Sequence, residues 1–508
     1  MLRDRSFVFS ICLLLGIPLV VMALVPLADT SEPRYAEIAR LMAESGDWIT
    51  PWFAPGVPFW GKPPLSFWAQ ALSFRVLGVS ELAVRFPSWL VTVVAAWAVY
   101  RCASVVFDRV TAQRSVLVYC SCALTFVASG AVLTDPFLAL GTTLCMTGWL
   151  MASYSRTLFW RYSFFLGLAI GLLAKGPLAL VMVAGVVVPW CLFFPAGRSQ
   201  WRALPWLSGC ILTLLLSVPW YVAAELKTPG FLDYFLIGEH VRRFLDPGWA
   251  GDLYGTAHQA PYGTIWYYWL QATFPWGPVA CVMLLWTLRH PSSRNRLIER
   301  VRGNSHYVYF AGWALFTPIF FTFSGNILWT YLLPALAGLS VLLASVWSVL
   351  QPAPAAANTM DSNAAVRVFG SYSLLIFLAP LAAIAFAVIG QLQPDRLKTE
   401  KQLVSYAQES MGTTAPLLYL YELPFSARFY SKNQAIPVSE HDLEQRLHVG
   451  SPFVVAVPKD RLPDLPNASA FQSIFENRRY VLLKPVLSEH TAQVAAHPAG
   501  SGRRSYFP

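Results

Sequence analysis

The sequence is organised around the stretch from Asp29 to Trp68, which reads DTSEPRYAEIARLMAESGDWITPWFAPGVPFWGKPPLSFW. It follows directly on an apolar run and brings acidic, basic and aromatic side chains together within a few turns of chain. A simple connection between two membrane spans needs no such chemistry, whereas binding and catalytic residues are concentrated on loops. The stretch therefore predicts a functional site built at a membrane surface.

The composition around this stretch is that of a membrane protein. Of the 508 residues, 56% are hydrophobic and 13% are charged, whereas soluble domains carry about 25% charged residues. Apolar runs of about 20 residues, the length that crosses a bilayer, recur along the chain. We therefore predict a polytopic α-helical membrane protein. The net charge of +10 reflects arginines between the apolar runs and does not indicate nucleic-acid binding.

Ten apolar stretches are candidates for transmembrane helices, and one of them is broken at Lys175 by a Gly-Pro pair. Counting the broken stretch as two helices predicts about eleven spans, or about thirteen if two amphipathic segments of the first loop also cross. The stretches cover residues 7–27, 85–107, 112–132, 135–154, 161–195, 204–224, 263–288, 307–324, 327–349 and 367–391.

Arginine is concentrated in alternate connections between these stretches. With a cytoplasmic N-terminus, every inner connection contains arginine, and the outer segments hold the clusters of acids and histidines. The positive-inside rule thus predicts a cytoplasmic N-terminus, an outer C-terminus and an inner Pro/Ala-rich linker over residues 351–365. The inner arginines are Arg3, Arg5, Arg109, Arg114, Arg156, Arg161, Arg198, Arg202, Arg289, Arg302 and Arg367.

The chain changes character near residue 391. The segments PLLYLY, FVVAVP and YVLLKP that follow are typical of short strands, so we predict a transmembrane domain over 1–391 and a small extracytoplasmic α/β domain over 392–508. Two large outer loops, 28–84 and 225–262, hold most of the polar chemistry. Within the first of them, residues 32–44 and 63–76 show helical periodicity and are expected to lie in the membrane interface.

Three carboxylates are candidate catalytic acids or bases. Asp29 and Glu32 follow the first span, and Asp135 lies in a Thr-Asp-Pro turn between two spans. Burial near a membrane raises the pKa of a carboxyl group and suits it to general-base catalysis. The competing interpretation is structural, because acids are favoured at helix N-termini and aspartate is a common turn residue. The residues alone leave both interpretations open.

Four cations are candidate phosphate contacts. Lys62 in the GKPP segment fits either a phosphate contact or a snorkelling lysine. Lys175 lies inside an apolar stretch, where a charge is costly and by default functional. Arg242 and Arg243 lie in an outer loop, against the positive-inside trend, and predict an anionic partner such as a phosphate.

Two histidines of the second outer loop raise the question of a metal. His240 and His258 are close in sequence to Glu239 and Asp246, a donor set compatible with a divalent metal ion. Each histidine alone is more often structural, and no tight motif such as HExxH is present. No cofactor is therefore firmly predicted, and a divalent metal stays one of two alternatives.

Acids, phosphate-binding cations and aromatic surface together fit transfer of a sugar from a lipid phosphate carrier. A nucleotide-sugar donor is not expected, because the sequence has neither a P-loop nor a GxGxxG motif. The expected partners are a polyprenyl-phosphate-linked sugar, an extracytoplasmic acceptor and the lipid bilayer, with no nucleic acid.

The segments EPRYAEIARLMAESGDWITPWF and GVPFWGKPPLSFW resemble the first loop of superfamily C glycosyltransferases. The groups concerned are the protein O-mannosyltransferase-like enzymes and the aminoarabinose lipid A transferases. The resemblance continues to about residue 340, through TDPFL (134–138), AKGPLAL (174–180), EHVRRF with HQAPYGTIWYY downstream, and SGNILWTYLLPALAGL (324–339).

This resemblance implies an inverting transfer from a polyprenyl-phosphate sugar at the outer face of a bacterial inner membrane. It implies that an acid of the first loop activates or positions the acceptor, and that Lys62 holds the carrier phosphate with help from Arg34 and Arg243. Asp135 is the implied second acid. The other substrate contacts expected from the motifs are Tyr35, Lys175, Arg242 and Tyr331.

Two departures from the family pattern limit what is carried over. The family often has Asp-Glu before x-Arg-Tyr, and this chain has Ser31-Glu32 there, with Asp29 two residues before Ser31. The choice between Asp29 and Glu32 as the catalytic acid therefore stays open. The aminoarabinose transferases have a glutamate, similar to a metal ligand, where this chain has Gly61. Both metal dependence and a lipid A acceptor are therefore in question, and a glycan or a protein is an alternative acceptor.

Two competing functions use the same features. A lipid-linked-sugar flippase or transporter without transferase activity would also have broken helices and a lysine in the membrane. Against it, the spans show no internal repeat, and the polar residues gather at one face. An O-antigen ligase or polymerase would share the substrates, but it does not explain the RYAEIAR and GKPPL segments.

Overall fold

A computed structural model describes residues 2–155, 157–255, 258–351, 371–411, 415–449 and 452–486. The chain divides into two compact units. The first is Met1–Val25 with Ile38–Ile389, and the second is Pro26–Glu37 with Gly390–Pro508. The strand patterns predicted one boundary, at residue 391, and did not predict that Pro26–Glu37 packs with the C-terminal unit. Arg156, Arg367, the 351–365 linker beyond Gln351 and the tail after residue 486 lie outside the described residues.

The first unit is helical. Its α-helices are Leu2–Leu24, Leu65–Leu77, Glu81–Val106, Arg109–Ser121, Ala123–Ser129, Asp135–Tyr154, Leu158–Lys175, Leu178–Phe193, Pro195–Ala203, Trp206–Lys227, Arg243–Leu245, Thr264–Thr273, Trp276–Arg289, Pro291–Gly303, His306–Phe321, Leu333–Leu350 and Leu378–Leu392. A π-helix covers Asp233–Arg242, and 3-10 turns cover Trp329–Leu332 and Ser371–Phe377. The helix Ser31–Ser45 begins in the second unit and ends in the first.

The chain is a multi-pass membrane protein, as the sequence predicted. Seven helices within the described residues are long and apolar enough to cross a bilayer, and two bent helix pairs raise the number to nine. The bends measure 68° between Arg109–Ser121 and Ala123–Ser129, and 118° between Leu178–Phe193 and Pro195–Ala203. The count falls below the predicted eleven partly because the apolar stretch 263–288 is divided at Phe274-Pro275 into two short helices.

The predicted break at Lys175-Gly176-Pro177 is confirmed. Helix Leu158–Lys175 ends at the lysine, Gly176 adopts φ +70°, and the next helix starts at Leu178. A positive φ after the last helical residue favours glycine, and proline cannot continue the helix that precedes it. The break therefore places Lys175 at a helix end, with its side chain directed into the structure.

Two helices of the first unit pack with their backbones almost touching. A Cβ atom at Gly141 would lie 2.7 Å from the Gly167 carbonyl oxygen and 2.8 Å from the Gly171 nitrogen. Small residues allow such approach between membrane helices, where packing and not hydrophobicity holds helices together. This close packing fixes the positions of two charged residues relative to each other, because Asp135 begins one helix and Lys175 ends the other.

The first loop contains the two helices expected from its periodicity, Ser31–Ser45 and Leu65–Leu77. Between them lies a short hairpin, Trp52–Ala54 paired with Val57–Pro58, which the sequence analysis did not foresee. The turn contains Gly56 at φ +77°, a conformation that glycine adopts without steric cost.

The second unit is a small α/β domain, as predicted. Its sheet has the strand order Ile436–Val438, Leu417–Leu420, Val454–Pro458, Tyr480–Pro485 and Phe471–Glu476. The first three strands are parallel, and the last two pair antiparallel. Helices Lys401–Met411, Phe425–Tyr430 and Glu440–Val449 accompany the sheet, whose two sides belong to separate apolar clusters.

Substitution of Gly141 should show how much stability the close helix pair contributes. We expect Gly141→Ala to destabilise the protein by about 1–3 kcal/mol, because the added methyl group meets backbone atoms that cannot rotate away. The measurement is the midpoint of thermal unfolding in detergent, followed by tryptophan fluorescence. Gly312→Ala is the matched control, since its new Cβ would meet only Val186 Cγ1, at 3.6 Å. Equal midpoints for both variants would contradict the close packing.

Candidate active site

A cavity of about 300 Å³ lies within the first unit, next to the break after Lys175. Its wall is largely aromatic and aliphatic, with a few charged and polar groups. The polar members are Lys62, Lys175, Glu239, His240, Arg243, Ser324, Asn326 and Tyr331, and the apolar members include Leu178, Val181, Phe235, Phe244, Phe320 and Phe321. Apolar walls with a few convergent polar groups are typical of ligand sites.

Glu239 is the centre of an ion-pair network at this cavity. Its carboxylate accepts hydrogen bonds from Lys62 Nζ at 3.2 Å and from Arg243 Nη1 at 3.0 and 3.2 Å. The Tyr234 hydroxyl donates a further hydrogen bond at 3.2 Å. Arg243 also pairs with Asp252 at 3.2 Å. The Glu239 side chain is 6% exposed, whereas that of Lys62 is 22% exposed, so Lys62 is the member of the pair that can turn toward a ligand.

The electrostatics keep this network charged. Burial raises the pKa of the Glu239 carboxyl, but the charges of Lys62 and Arg243 outweigh it and leave the pKa below its ordinary value. Burial lowers the pKa of Arg243, but the neighbouring Glu239, Tyr331 and Asp252 together more than reverse this effect and leave the pKa above its ordinary value. Glu239 and Arg243 are therefore both ionised at neutral pH.

Lys175 and Asp135 form a second, more deeply buried pair. Lys175 Nζ donates to Asp135 Oδ1 at 2.7 Å, and the two side chains are 9% and 8% exposed. The ammonium group also lies 4.7 Å from the centre of the Tyr331 ring, within the range of a cation–π interaction. The structure thus brings together three residues predicted from separate motifs.

His240 secures the break from the other side. Its Nδ1 lies 2.7 Å from the Phe235 carbonyl oxygen and its Nε2 lies 2.9 Å from the Lys175 carbonyl oxygen. Burial lowers the pKa of this histidine, against the effect of the two carbonyl contacts. Because both ring nitrogens face carbonyl oxygens, this arrangement does not support the expectation that His240 binds a metal.

The other features expected of a metal site are not assembled. Nowhere in the described ranges do three or more His, Cys, Asp or Glu side chains come together as a metal centre requires. His258 lies in the loop, where its carbonyl oxygen accepts from Ile327 N at 3.2 Å. A Cβ at Gly61 would lie 2.9 Å from Phe59 Cζ, so a longer acidic side chain does not fit there without movement. Among the residues that the structure describes, those at this cavity do not fit a resident divalent ion.

Three features of the site were missed by sequence reasoning. Glu239 was considered only beside the histidines, and its position between two cations has no local signature. Asn326 donates to the Arg243 and Asp246 carbonyl oxygens, both at 2.7 Å, and so ties the loop to the SGNILW segment. The π-helix Asp233–Arg242 carries Glu239 and His240. π-Helical geometry is rare and occurs often at functional sites.

Arg242 and the candidate residues at the start of the first loop are not among the residues that line the cavity. Arg242 is exposed and does not line the cavity, unlike its neighbour Arg243. Glu32, Arg34 and Tyr35 lie in the first turns of helix Ser31–Ser45, in the second unit. There the Arg34 guanidinium lies 5.2 Å from the Tyr35 ring centre and 5.7 Å from that of Phe425.

Asp29 has a complete set of partners within the second unit. Its Oδ1 accepts from Ser426 N at 2.8 Å, and its Oδ2 accepts from Ser426 Oγ and Arg479 Nη2, both at 2.6 Å. The side chain is 4% exposed. Neither Ser426 nor Arg479 was predicted. This geometry favours an anchoring role for Asp29.

Comparison with known proteins finds glycosyltransferases that match much of this chain. The model described as dolichyl-phosphate-mannose-protein mannosyltransferase matches residues 3–235. Undecaprenyl phosphate-alpha-4-amino-4-deoxy-L-arabinose arabinosyl transferases are among the relatives. That of Edwardsiella ictaluri is 31% identical over 363 residues, or 70% of this chain and 60% of the relative. That of an Enterobacter species is 29% identical over 394 residues, or 74% of this chain and 66% of the relative. The present chain is thus similar to these glycosyltransferases over 70–74% of its length.

Solved structures of superfamily C members show the same fold. ArnT from Cupriavidus metallidurans bound to undecaprenyl phosphate matches with a TM-score of 0.75 and 17% identity, covering 95% of this chain and 98% of ArnT. The Archaeoglobus fulgidus oligosaccharyltransferase matches with a TM-score of 0.52 and 11% identity, over 91% of this chain and 70% of that protein. The present chain spans 60–66% of the length of the two arabinosyl transferases named above.

The Lys175–Asp135 pair can be tested by a double-mutant cycle. We expect Asp135→Asn to destabilise the protein by about 3–5 kcal/mol, because it leaves the Lys175 charge buried without its counter-ion. Lys175→Met in the same chain should recover part of that loss, since it removes the orphaned charge. Thermal unfolding midpoints of both single variants and the double variant measure the coupling. Strictly additive losses would show that the two side chains do not stabilise each other.

Proposed function

We propose that the protein is a glycosyltransferase of a bacterial inner membrane, which transfers a sugar from a polyprenyl-phosphate carrier to an extracytoplasmic acceptor. The observation that carries the proposal is the convergence of Lys62, Lys175 and Arg243 on one cavity whose other walls are apolar and aromatic. Such a cavity suits a ligand with an anionic head and a hydrocarbon tail.

The cations fit a phosphate group. Arginine offers a planar set of donors that matches phosphate oxygens, and lysine adds a mobile point charge. Arg243 is held by two acids. Lys62 contacts Glu239 at 3.2 Å. An ammonium group has three N–H donors, so Lys62 can bind a phosphate oxygen by a small rotation of its side chain.

The apolar walls fit the first part of a polyprenyl chain. Phe244, Phe320 and Phe321 line the cavity beside Leu178 and Val181. Undecaprenyl phosphate is bound in the ArnT structure that shares this fold, and the arabinosyl transferases are named for an undecaprenyl phosphate-linked sugar. On this basis we assign the same class of carrier to the present chain.

The proposed chemistry is an inverting displacement. An acceptor hydroxyl attacks the anomeric carbon, the bond from that carbon to the phosphate oxygen breaks, and the carrier leaves as a phosphate monoester that keeps the electron pair. Negative charge grows on the phosphate as the bond breaks, so Lys62 and Arg243 stabilise the transition state more than the bound donor. Lys175, held by Asp135, adds a fixed positive charge to the same cavity.

We propose Glu32 as the general base that takes the acceptor proton. The sequence left Asp29 and Glu32 as alternatives, and the Asp29 carboxylate accepts hydrogen bonds from Ser426 and Arg479. The remaining first-loop candidates, Arg34 and Tyr35, are proposed to contact substrate, and Arg242 to attract the anionic donor. Asp135 acts by holding Lys175.

The proposed topology follows the arginine distribution. The N-terminus lies in the cytoplasm, the C-terminal domain lies outside, and transfer takes place at the outer face. The acceptor is a lipid A, a glycan or a protein. Because the sequence departs from the family pattern at Ser31 and Gly61, the acceptor is not assigned by resemblance and must be measured.

Replacement of Lys62 tests the phosphate site. We expect Lys62→Ala to weaken binding of polyprenyl phosphate roughly 10- to 100-fold, the loss typical of a hydrogen bond to a charged group. Lys227→Ala is the control, because Lys227 also pairs with an acid, Asp47, at 2.6 Å and does not line the cavity. Binding is measured by titration of purified protein in detergent. Equal affinities in the two variants would rule out Lys62 as a phosphate ligand.

A transfer assay tests the function as a whole. Purified protein is incubated with radiolabelled polyprenyl-phosphate sugars and an envelope extract, and label in lipid, glycan and protein fractions is counted. Label entering one fraction supports the transferase and identifies the acceptor class. A Glu32→Gln variant should bind the donor and fail to transfer. Movement of the donor across proteoliposome membranes without any transfer would replace the proposal by transport of a lipid-linked sugar.

A further inference from the structure

The segment Pro26–Glu37 is bound into the C-terminal domain at several independent points. Leu27 N donates to the Tyr430 hydroxyl at 2.8 Å, and Asp29 N donates to the Lys398 carbonyl oxygen at 2.8 Å. The Asp29 carboxylate then takes three hydrogen bonds, two from Ser426 and one from Arg479. Main chain and side chain of this segment are therefore both recognised by the domain.

The carboxylate of Asp29 lies at the edge of the sheet where α/β domains bind ligands. Ser426 is in the helix that follows strand Leu417–Leu420, and Arg479 directly precedes the strand beside Val454–Pro458. The parallel strands Leu417–Leu420 and Val454–Pro458 are neighbours. From Leu417–Leu420 the chain continues to strand Ile436–Val438, which lies on the side away from Val454–Pro458. The point between Leu417–Leu420 and Val454–Pro458 is a topological switch point, at the carboxyl ends of the strands, where open α/β sheets place their ligands.

The groups around Asp29 form an anion site. A backbone N–H, a hydroxyl and a guanidinium converge on the carboxylate. Arg479 also holds the fully buried Glu400, with Nε at 2.9 Å and Nη2 at 2.7 Å from its Oε1. One guanidinium thus contacts two buried carboxyl groups. Its removal would leave both groups without their cationic partner, which is strongly destabilising at a buried site.

We propose that the C-terminal domain is a positioning module whose ligand is the first loop of its own chain, bound through Asp29, with Arg479 as a positioning residue for transfer. The kinetic part of this inference rests on the proposed function. The anchor matters because Glu32, the proposed base, is three residues further along. Glu32 lies in the first turn of helix Ser31–Ser45, so the anchored residue fixes the start of that helix.

The inference is tested with full-length protein in two readouts, one of which needs no activity. The first is hydrogen–deuterium exchange of the amides of Leu27 and Asp29. We expect Arg479→Gln to increase their exchange roughly 10-fold or more, because the domain opens locally around the lost anchor. The matched control is Arg478→Gln, which makes the same change at the adjacent, exposed arginine and should leave the exchange unchanged.

The second readout is steady-state transfer. We expect Arg479→Gln to lower kcat roughly 10- to 100-fold, the effect of misplacing a catalytic group, with little change in the KM for the donor, whose cations lie in the other unit. Arg479→Lys should recover part of kcat, and Asp29→Asn should resemble Arg479→Gln. The double variant should be no worse than either single variant, because both remove the same anchor.

Each outcome decides between the alternatives. Unchanged exchange in both Arg479→Gln and the milder Asp29→Asn overturns the anchor, whatever the activity. Faster exchange with unchanged kcat overturns the positioning role. Loss of all transfer in Asp29→Asn with normal kcat in Arg479→Gln would make Asp29 the base instead. If exchange responds but the parent protein transfers no sugar, the anchor stands and the proposed glycosyltransferase function fails.

Discussion

The structure depends on the cost of a buried charge near the membrane. Lys175 ends a helix inside an apolar stretch, and its ammonium is stable there because Asp135 lies 2.7 Å away and the Tyr331 ring faces it. An unpaired charge at this depth would cost several kcal/mol. The close packing of helices Asp135–Tyr154 and Leu158–Lys175 at Gly141 sets the distance between these two residues, so an interaction of backbones decides where the charge can lie.

The other charged groups of the cavity are also paired. Lys62 and Arg243 meet at Glu239, and His240 faces the carbonyl oxygens of Phe235 and Lys175. Both Glu239 and His240 are carried by a π-helix, whose wider turn presents neighbouring residues differently from an α-helix. The helix break supplies one wall of the site, and the π-helix supplies the facing groups. Irregular backbone in a membrane protein is stable where it lines such a cavity.

Local patterns allowed much of this architecture to be predicted. The break at Lys175 follows from a Lys-Gly-Pro sequence in an apolar run, and the two helices of the first loop follow from periodicity. The domain after residue 391 follows from short strand patterns. Long-range pairings could not be read in this way. Arg479 contacts Asp29, which is 450 residues away in the sequence, and Glu239 contacts Lys62, which is 177 residues away. Neither contact produces a local sequence pattern.

Two buried acids, Asp29 and Glu239, show how the surrounding groups determine the role of a carboxylate. Asp29 and Glu239 are both nearly fully buried and both are bound by arginine. Asp29 receives an additional backbone N–H and hydroxyl, so its charge is used to hold a segment of chain. Glu239 instead holds two cations at the edge of a cavity, one of them partly exposed. A phosphate that entered there, as proposed, would add negative charge beside a resident carboxylate, and the Lys62 contact would be the one to rearrange, since Arg243 keeps Asp252 as a second acid. In the proposed mechanism, Glu239 therefore sets the balance between holding the two cations at the cavity and releasing Lys62 to the ligand.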